Sequence, residues 1–394
     1  MRLFKRQSQV WEILDSYTAK GPVSLHLKAW AKQHKEAGSK DRRELQAMVY
    51  AWFRLGHLGA DKPKDQRLAA ALFLFQDGLE HYTEDLFTLE LLPKSLHSLA
   101  TAEWSARFEA LLAAWDLNTA DYFPYLGELS DAFSADYFIR QMSQAPHFWF
   151  RSRRKRSDEL EQVLNSKKVE FIRKEQFFAF HRGFNLISVL PKKQAIYGEV
   201  QDYASGRTVE LLKLEGKEKV WDVCAASGGK SLAILDRYPN LRLMCSDVRP
   251  AILRNLEARI KETGLPVPEH KATDIANKPT WPFTEHIAPV DVLVCDVPCS
   301  GSGTWSRNPE RISLFSEAEL DALVPLQAAI VKNAAQFLRK GGQFLYITCS
   351  VFKKENEDQV QALLEQGFEL VESGYLGGPD EGADTLYRAL LRKS

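Results

Sequence analysis

Residues 220–230 read VWDVCAASGGK, an apolar segment followed by small residues and a lysine. The apolar part predicts a strand, and the small residues predict a tight loop that opens a helix. Small side chains let the backbone approach a ligand closely, and a helix N-terminus adds unpaired N–H groups. We therefore expect a ligand site here, formed by Cys224, Ala225, Ala226, Ser227, Gly228, Gly229 and Lys230.

Strand and helix patterns alternate around this loop, from about residue 198 to residue 394. Strand patterns lie at 219–223, 241–246, 290–295 and 343–348, and helix patterns at 229–238, 249–263, 317–338 and 355–365. Two more strand-like pieces, 368–372 and 385–392, predict a closing antiparallel pair. The pattern predicts an α/β domain at 198–394, with a doubly wound, Rossmann-like parallel sheet and helices on both sides.

Two other domains are predicted before it. Residues 1–140 show helix-period apolar spacing and predict an all-helical domain. Residues 145–197 predict a small α+β subdomain, with strands in HFWFRS, FFAFHR and NLISVL and a helix that opens at Ser157. A chain of 394 residues exceeds what one core usually serves, which agrees with several domains.

The composition is that of a soluble globular protein, with 45% apolar and 26% charged residues and no net charge. The N-terminus has no continuous apolar segment, and the longest apolar run, 68–75, is far below the roughly 18 residues that span a bilayer. Five cysteines, all at position 224 or beyond, do not resemble a disulfide framework. We therefore expect a cytoplasmic protein with reduced thiols, and the sequence leaves its oligomeric state open.

Basic residues are unevenly distributed, which bears on RNA binding. Residues 1–60 hold 11 Lys/Arg and 5 Asp/Glu, and residues 61–140 hold 6 and 14. GSKDRR at 38–43 places Arg42 and Arg43 at the start of a predicted helix that Asp41 can cap. A second basic cluster follows aromatic residues and consists of Arg151, Arg153, Arg154, Lys155 and Arg156. Basic residues next to aromatic ones suit single-stranded RNA. Both basic clusters could instead be solvated faces.

Two acidic residues downstream of the glycine-rich loop suit a nucleoside. Asp247 ends the next predicted strand, 247 − 222 = 25 residues after Asp222, where an acidic side chain accepts ribose hydroxyls. Asp274 could reach an adenine amino group. The dinucleotide pattern GxGxxG is missing, and Cys224 replaces the first glycine of a phosphate-binding loop. S-adenosylmethionine is therefore expected rather than ATP or NAD, the alternative being a plain strand–helix turn.

Two cysteines each follow an apolar strand-like segment. Cys299 lies in DVLVCDVPCSGSGTWSR at 291–307, and Cys349 lies in QFLYITCSV at 343–351. Their separation, 349 − 299 = 50 residues, is about one strand–helix–strand unit with its loops. Both thiols could therefore face one cleft, which suggests covalent chemistry on an electrophilic ring. A zinc site is not expected, because the paired short ligand spacing is missing.

These segments resemble the Sun/Fmu-type RNA (cytosine-5) methyltransferase family. DVCAASGGKS resembles its DLCAAPGGKT, and CDVPCSGSGTWSRNPE resembles its DAPCSGTGTLRRNPE. LYITCSVFKKENEDQV is similar to its Y-x-T-C-S signature with the following E-N-E. The N-terminal region resembles the NusB-like RNA-binding domain of members that act on ribosomal RNA, which implies 16S ribosomal RNA as substrate before transfer RNA.

The resemblance implies a role for each catalytic residue. Carbon 5 of cytosine is a poor nucleophile, so a thiolate must first add to carbon 6, and this nucleophile corresponds to Cys349. Cys299 corresponds to the cysteine that assists release of the enzyme after methyl transfer. Asp296 would hydrogen-bond the ring near N3, Lys230 would help keep a thiolate charged, and Arg307 of the same motif would contact RNA.

Four residues depart from the family pattern without removing a catalytic group. Ser227 replaces a proline, which we expect to loosen the loop, and Val297 replaces an alanine. Ser306 replaces an arginine, and Arg153 replaces an asparagine that the family often has. Two other functions stay open: DNA cytosine methylation, which would not need Cys349 in its TCS setting, and a non-catalytic RNA-binding assembly factor. The sequence does not identify the modified nucleotide.

Overall fold

The computed structural model describes residues 2–76, 78–190, 194–283 and 289–394. It divides the chain into two compact units. The first comprises Met1–Gln144 and Trp305–Glu317, and the second comprises Ala145–Thr304 and Ala318–Ser394. The small sheet predicted at 145–197 and the Rossmann-like sheet thus lie in one unit.

The helices alternate with strands only after residue 144 of the described chain. In chain order the helices are α1 (Arg2–Ser16), α2 (Val23–Gln33), α3 (Ser39–Arg54), α4 (Lys64–Leu74), α5 (Thr83–Thr88), α6 (Trp104–Trp115), α7 (Ala135–Ser143), α8 (Ser157–Ser166), α9 (Leu186–Val189), α10 (Gln194–Tyr197), α11 (Tyr203–Arg207), α12 (Gly229–Arg237), α13 (Pro250–Thr263), α14 (Glu310–Leu314), α15 (Glu317–Ala335) and α16 (Glu357–Glu365). The strands are β1 (Phe148–Ser152), β2 (Ile172–Lys174), β3 (Phe177–Phe180), β4 (Gly198–Val200), β5 (Lys219–Asp222), β6 (Arg242–Asp247), β7 (Glu269–Ala272), β8 (Val290–Asp296), β9 (Leu338–Thr348), β10 (Phe368–Gly377) and β11 (Thr385–Lys393).

The first unit is helical, as predicted. Buried hydrogen bonds explain why the distant segment Trp305–Glu317 belongs to it. Buried Arg54 at the end of α3 donates to the carbonyl of Ser306 at 3.2 Å, and the buried carboxylate of Glu310 accepts the Val23 N–H at the start of α2 at 3.0 Å. This segment therefore completes the helical core.

The small sheet is antiparallel, with strand order β2-β3-β1-β4. The strand predicted at 185–190 is wrong, because Leu186–Val189 forms the short helix α9. Leu186, Val189 and Leu190 are buried and Ile187 is exposed, a spacing of three and four residues that belongs to a helix. The Leu190 N–H donates to the Leu186 carbonyl at 2.9 Å.

The large sheet has seven strands in the order β10-β11-β9-β8-β5-β6-β7. Strands β9, β8, β5, β6 and β7 are parallel, and β11 pairs antiparallel with β9 and with β10. The predicted doubly wound sheet with a closing antiparallel pair is confirmed. Strand β7 was not predicted, and β9 begins at Leu338, where the sequence predicted helix.

Helices cover both faces of this sheet. Alternate strand residues point to opposite faces, so Val220 and Val292 pack in one core with Leu232 of α12. Trp221 and Leu293 pack in the other core with Ile330 of α15. Since parallel strands end at one edge, the residues at and after their carboxyl ends meet there.

Candidate active site

A cavity of about 580 Å³ opens at the carboxyl edge of the large sheet. It lies at the end of β5, β6 and β8 and the start of the segment after β9, which is the edge where doubly wound sheets bind ligands. Its lining includes Cys224, Asp247, Asp274, Asp296, Cys299 and Cys349. The fold thus brings together predicted site residues spread over 126 positions (349 − 224 + 1).

The two thiols predicted to share a cleft are neighbours. The Sγ atoms of Cys299 and Cys349 lie 3.3 Å apart, and the Cys349 N–H points at Cys299 Sγ at 3.4 Å. This separation exceeds a disulfide bond, and both cysteines are free. The hydrogen bond with Cys349, burial and the charge of Glu355 raise the pKa of the Cys299 thiol well above its ordinary value.

Lys230 and Asp296 form an ion pair beside the thiols. Lys230 Nζ donates to Asp296 Oδ2 at 2.5 Å, with the lysine side chain nearly buried. Burial disfavours the ammonium form, but Asp296 and, more weakly, Cys349 raise the pKa of Lys230 above its ordinary value. The ammonium group of Lys230 therefore persists next to Cys349.

The glycine-rich loop has the backbone that its sequence predicts. Ala226 and Gly228 have φ angles of 48° and 83°, in the left-handed region, and the N–H groups of α12 follow. Arg259 donates to the Ser227 carbonyl and to Ser227 Oγ, both at 2.8 Å. The bond to the hydroxyl is one that a proline could not accept, and the expected loosening at Ser227 stays a prediction.

Asp247 has the position predicted for a ribose-binding carboxylate. Its oxygens accept the Ala226 N–H at 3.1 Å, the Arg249 N–H at 2.9 Å and two guanidinium bonds from Arg249. Burial opposes ionisation, yet these bonds lower the pKa of Asp247 below its ordinary value. Asp274 also lines the cavity, and its carboxylate accepts two bonds from Asn277.

A buried network beneath the two cysteines was missed by the sequence analysis. Glu355 accepts the Ser300 N–H at 2.8 Å, the Ser300 hydroxyl at 2.5 Å and an amide bond from Gln327 at 2.9 Å. Asn356 donates to the Ser350 carbonyl at 2.9 Å. The E-N-E motif was the available signal, and the structure gives it a role in holding the loops after β8 and β9.

The basic residues proposed for RNA fall into two groups. Arg151 is only 3% exposed and pairs with Glu199 and Asp236, so the expectation that it contacts RNA is corrected. Arg153 is half-buried and also bonds Asp236. In contrast, Arg42, Arg43, Arg154, Lys155 and Arg156 are exposed.

Arg307 has a different setting. It is half-buried, in the segment Trp305–Glu317 that belongs to the helical unit.

Within the described ranges, no helix has the length and apolarity to cross a membrane. The same ranges contain no group of three or more His, Cys, Asp or Glu side chains arranged to hold a metal ion.

The buried carboxyl of Asp222 should make the free energy of unfolding depend on pH. It is fully buried, Oδ2 accepts the Ser231 hydroxyl at 2.5 Å, and Oδ1 has no partner among the described residues. Burial, with the charge of Asp296, raises its pKa to about 7. The folded chain thus keeps a proton that the unfolded chain releases above about pH 4, so the free energy of unfolding falls as pH rises towards 7.

Asp222→Asn should remove this pH dependence. Between pH 5 and pH 8 the wild type should lose on the order of 2 kcal/mol more stability than the variant. Urea denaturation at both pH values measures the difference, in which any pH-independent cost of the asparagine cancels. Parallel pH profiles for the two proteins would show that Asp222 is ionised in the folded chain.

Comparison with known proteins gives one family match. Residues 209–378 match the family described as 16S rRNA methyltransferase RsmB/F. A ribosomal RNA small subunit methyltransferase B from Xanthomonas campestris is 35% identical over 169 residues, 42% of this chain and 38% of that protein. One from Yersinia enterocolitica is 26% identical, over 64% of this chain and 61% of that protein. The chain thus spans less than two thirds of these relatives.

Solved structures share the fold. The crystal structure of PH0851 aligns with a TM-score of 0.69 at 21% identity, over 98% of this chain and 97% of that one. The structure of NSun6 from Pyrococcus horikoshii with SFG aligns with a TM-score of 0.58 at 17% identity, over 68% of this chain and 97% of that one. At these identities the likeness concerns the fold alone.

Proposed function

We propose that this chain methylates carbon 5 of a cytosine in RNA, because residues 209–378 match the family described as 16S rRNA methyltransferase RsmB/F. The expected substrate is 16S ribosomal RNA, and the expected methyl donor is S-adenosylmethionine. The observation that carries the proposal is the pair of thiols, 3.3 Å apart, beside the Lys230–Asp296 ion pair. A single cysteine would suffice for addition to a base, whereas two suit addition followed by release.

The cavity suits the methyl donor in size and in chemistry. Its volume of about 580 Å³ lies within the range of small-molecule sites. Ribose hydroxyls and an adenine amino group are hydrogen-bond donors, and the carboxylates of Asp247 and Asp274 are acceptors on its wall. When bound, S-adenosylmethionine supplies an electrophilic methyl group on its sulfonium.

Asp247 should be the main anchor of the ribose. Its two oxygens already accept four N–H bonds, two of them from the side chain of Arg249, which is 59% exposed. Ribose hydroxyls would therefore replace the Arg249 guanidinium, while the Ala226 N–H keeps the carboxylate in place. The loop and the ribose site are thus held by one side chain.

Asp247→Asn should weaken S-adenosylmethionine binding about 10- to 100-fold, because an ionised acceptor is lost from a buried site. Isothermal titration calorimetry of the purified proteins measures the change. Glu369→Gln, an exposed substitution on β10, is the matched control and should bind as the wild type does. Equal affinities for all three proteins would remove Asp247 from the cofactor site.

In the proposed reaction each step is carried out by a named residue of the site. The Cys349 thiolate, facing the Lys230 ammonium, adds to carbon 6 and forms a carbon–sulfur bond, which moves electron density to carbon 5 and N3. Asp296 hydrogen-bonds the ring near N3 and favours its protonation by water, and N3 returns this proton to water when the carbon–sulfur bond breaks. After the methyl group is on carbon 5, Cys299 removes the carbon-5 proton, the carbon–sulfur bond breaks, and Cys349 leaves as a thiolate.

Two exposed basic clusters are proposed to bind the RNA backbone. Arg42 and Arg43 stand on the first turns of α3, where Gly38 and Asp41 cap the helix. Arg154, Lys155 and Arg156 follow β1 and remain exposed, although Arg156 pairs with Glu159. Exposed cations that neutralise phosphates make binding salt-dependent. Arg307 is proposed as a further contact to the RNA.

The test is incubation of the purified protein with labelled S-adenosylmethionine and unmodified small-subunit ribosomal RNA, followed by mapping of 5-methylcytosine. Label at one cytosine is the expected result. Label on transfer RNA alone would keep the chemistry and change the substrate. Label on DNA alone, or on no nucleic acid while RNA still binds, would overturn the proposal in favour of a DNA enzyme or an assembly factor.

A further inference from the structure

The two active-site cysteines lie in opposite electrostatic surroundings. Cys349 faces the Lys230 ammonium, which is paired with Asp296. Cys299 faces Glu355, a fully buried carboxylate, and also the phenol of Tyr346 on β9. The Gly301 N–H acts in the opposite direction and lowers the pKa of the Cys299 thiol.

Glu355 is held by neutral donors. Its oxygens accept the Ser300 N–H, the Ser300 hydroxyl and the Gln327 amide. Among the described residues this carboxylate makes no ion pair, so hydrogen bonds from neutral groups replace its hydration. Gln327 also donates to the Pro298 carbonyl at 2.9 Å, so the network fixes the backbone on both sides of Cys299.

We propose that Glu355 is a positioning residue that disfavours the anion of Cys299, and so fixes Cys349 as the cysteine that attacks the base. The proposal rests on the proposed function. The two sulfur atoms lie 3.3 Å apart and either could be the hydrogen-bond donor; in the proposed resting state the Cys299 S–H donates. The negative charge of Glu355 beside Cys299 and the positive charge of Lys230 beside Cys349 make attack by Cys299 unfavourable.

The arrangement also orders the two roles in time. Formation of the bond between Cys349 and carbon 6 converts the thiolate to a neutral thioether. This removes the largest cause that holds the proton on Cys299, so a minor fraction of Cys299 ionises and gives its proton to solvent water, although burial and Glu355 still keep the pKa of the thiol above its ordinary value. The resulting Cys299 thiolate is a strong base, because Glu355 remains beside it, and it then takes the carbon-5 proton.

The test isolates Cys299 in a Cys349→Ala background and needs no RNA. The rate of its alkylation by iodoacetamide is followed against pH by mass spectrometry of the Cys299 peptide. In this background the midpoint should stay above the ordinary value of about 8.5 for a free thiol. Adding Glu355→Gln should lower the midpoint by about one pH unit, which is about tenfold faster alkylation at pH 8.

Two further variants separate charge from geometry. Glu355→Asp keeps the charge and shortens the side chain, so it should leave the midpoint high. Glu369→Gln on β10 is the control for loss of an exposed glutamate. The proposal is overturned if the Glu355→Gln substitution leaves the midpoint unchanged. It is also overturned if the midpoint in the Cys349→Ala protein lies below about 8.5, a value that can be measured even if the Glu355→Gln protein does not fold. If the alkylation profile is as expected but the wild-type protein transfers no methyl group, the proposed function is overturned instead.

Discussion

Replacement of Cys349 by alanine will abolish methyl transfer, with a loss of at least about ten-thousand-fold, the scale seen when a covalent nucleophile is removed. Carbon 5 of cytosine cannot attack the methyl donor until a nucleophile has added to carbon 6. Cys299 lies 3.3 Å away but does not replace Cys349, because Glu355 and burial keep its proton. Transfer of labelled methyl groups to small-subunit ribosomal RNA measures the loss.

Two controls separate loss of chemistry from loss of binding. Cys349→Ala should bind S-adenosylmethionine with wild-type affinity in calorimetry, since Asp247 and the glycine-rich loop are untouched. Cys245→Ala removes a thiol that is buried within β6, outside the cavity lining, and should retain most activity. Normal turnover by Cys349→Ala would place the nucleophile on another residue.

The position of the site was predictable because it follows from sheet topology. Asp296 ends β8, Cys299 follows it, and Cys349 follows β9; these strands are parallel neighbours. Apolar strand patterns and the residues directly after them are visible in the sequence. Parallel pairing then brings those residues to one edge whatever the details of side-chain packing.

Other features could not be predicted, because they depend on burial by distant parts of the chain. Arg151 looks like its exposed neighbours in the sequence, but its partners Glu199 and Asp236 are 48 and 85 residues away. Glu355 likewise depends on Ser300, which lies in the loop after β8, and on Gln327, which lies in α15. Residues 185–190 fit both a strand and a helix, and only the core they join decides between them.

Replacement of Cys299 by alanine will trap a covalent complex between the protein and RNA. Cys349 and Lys230 are intact in this variant, so addition to carbon 6 and methyl transfer proceed. Removal of the carbon-5 proton then fails, because the base 3.3 Å from the nucleophile is missing. The adduct should accumulate to about one per active site and survive a denaturing gel.

The double variant Cys299→Ala with Cys349→Ala is the matched control and should give no adduct, since it lacks the sulfur that bonds to RNA. Cys224→Ala removes a different thiol from the same cavity wall and should also give none, because release is intact. A slow band in the single variant that disappears in the double variant would assign the attacking and releasing sulfurs in one gel. Absence of the band, with methylated RNA released at the normal rate, would mean that another group, such as water in the cavity, removes the proton.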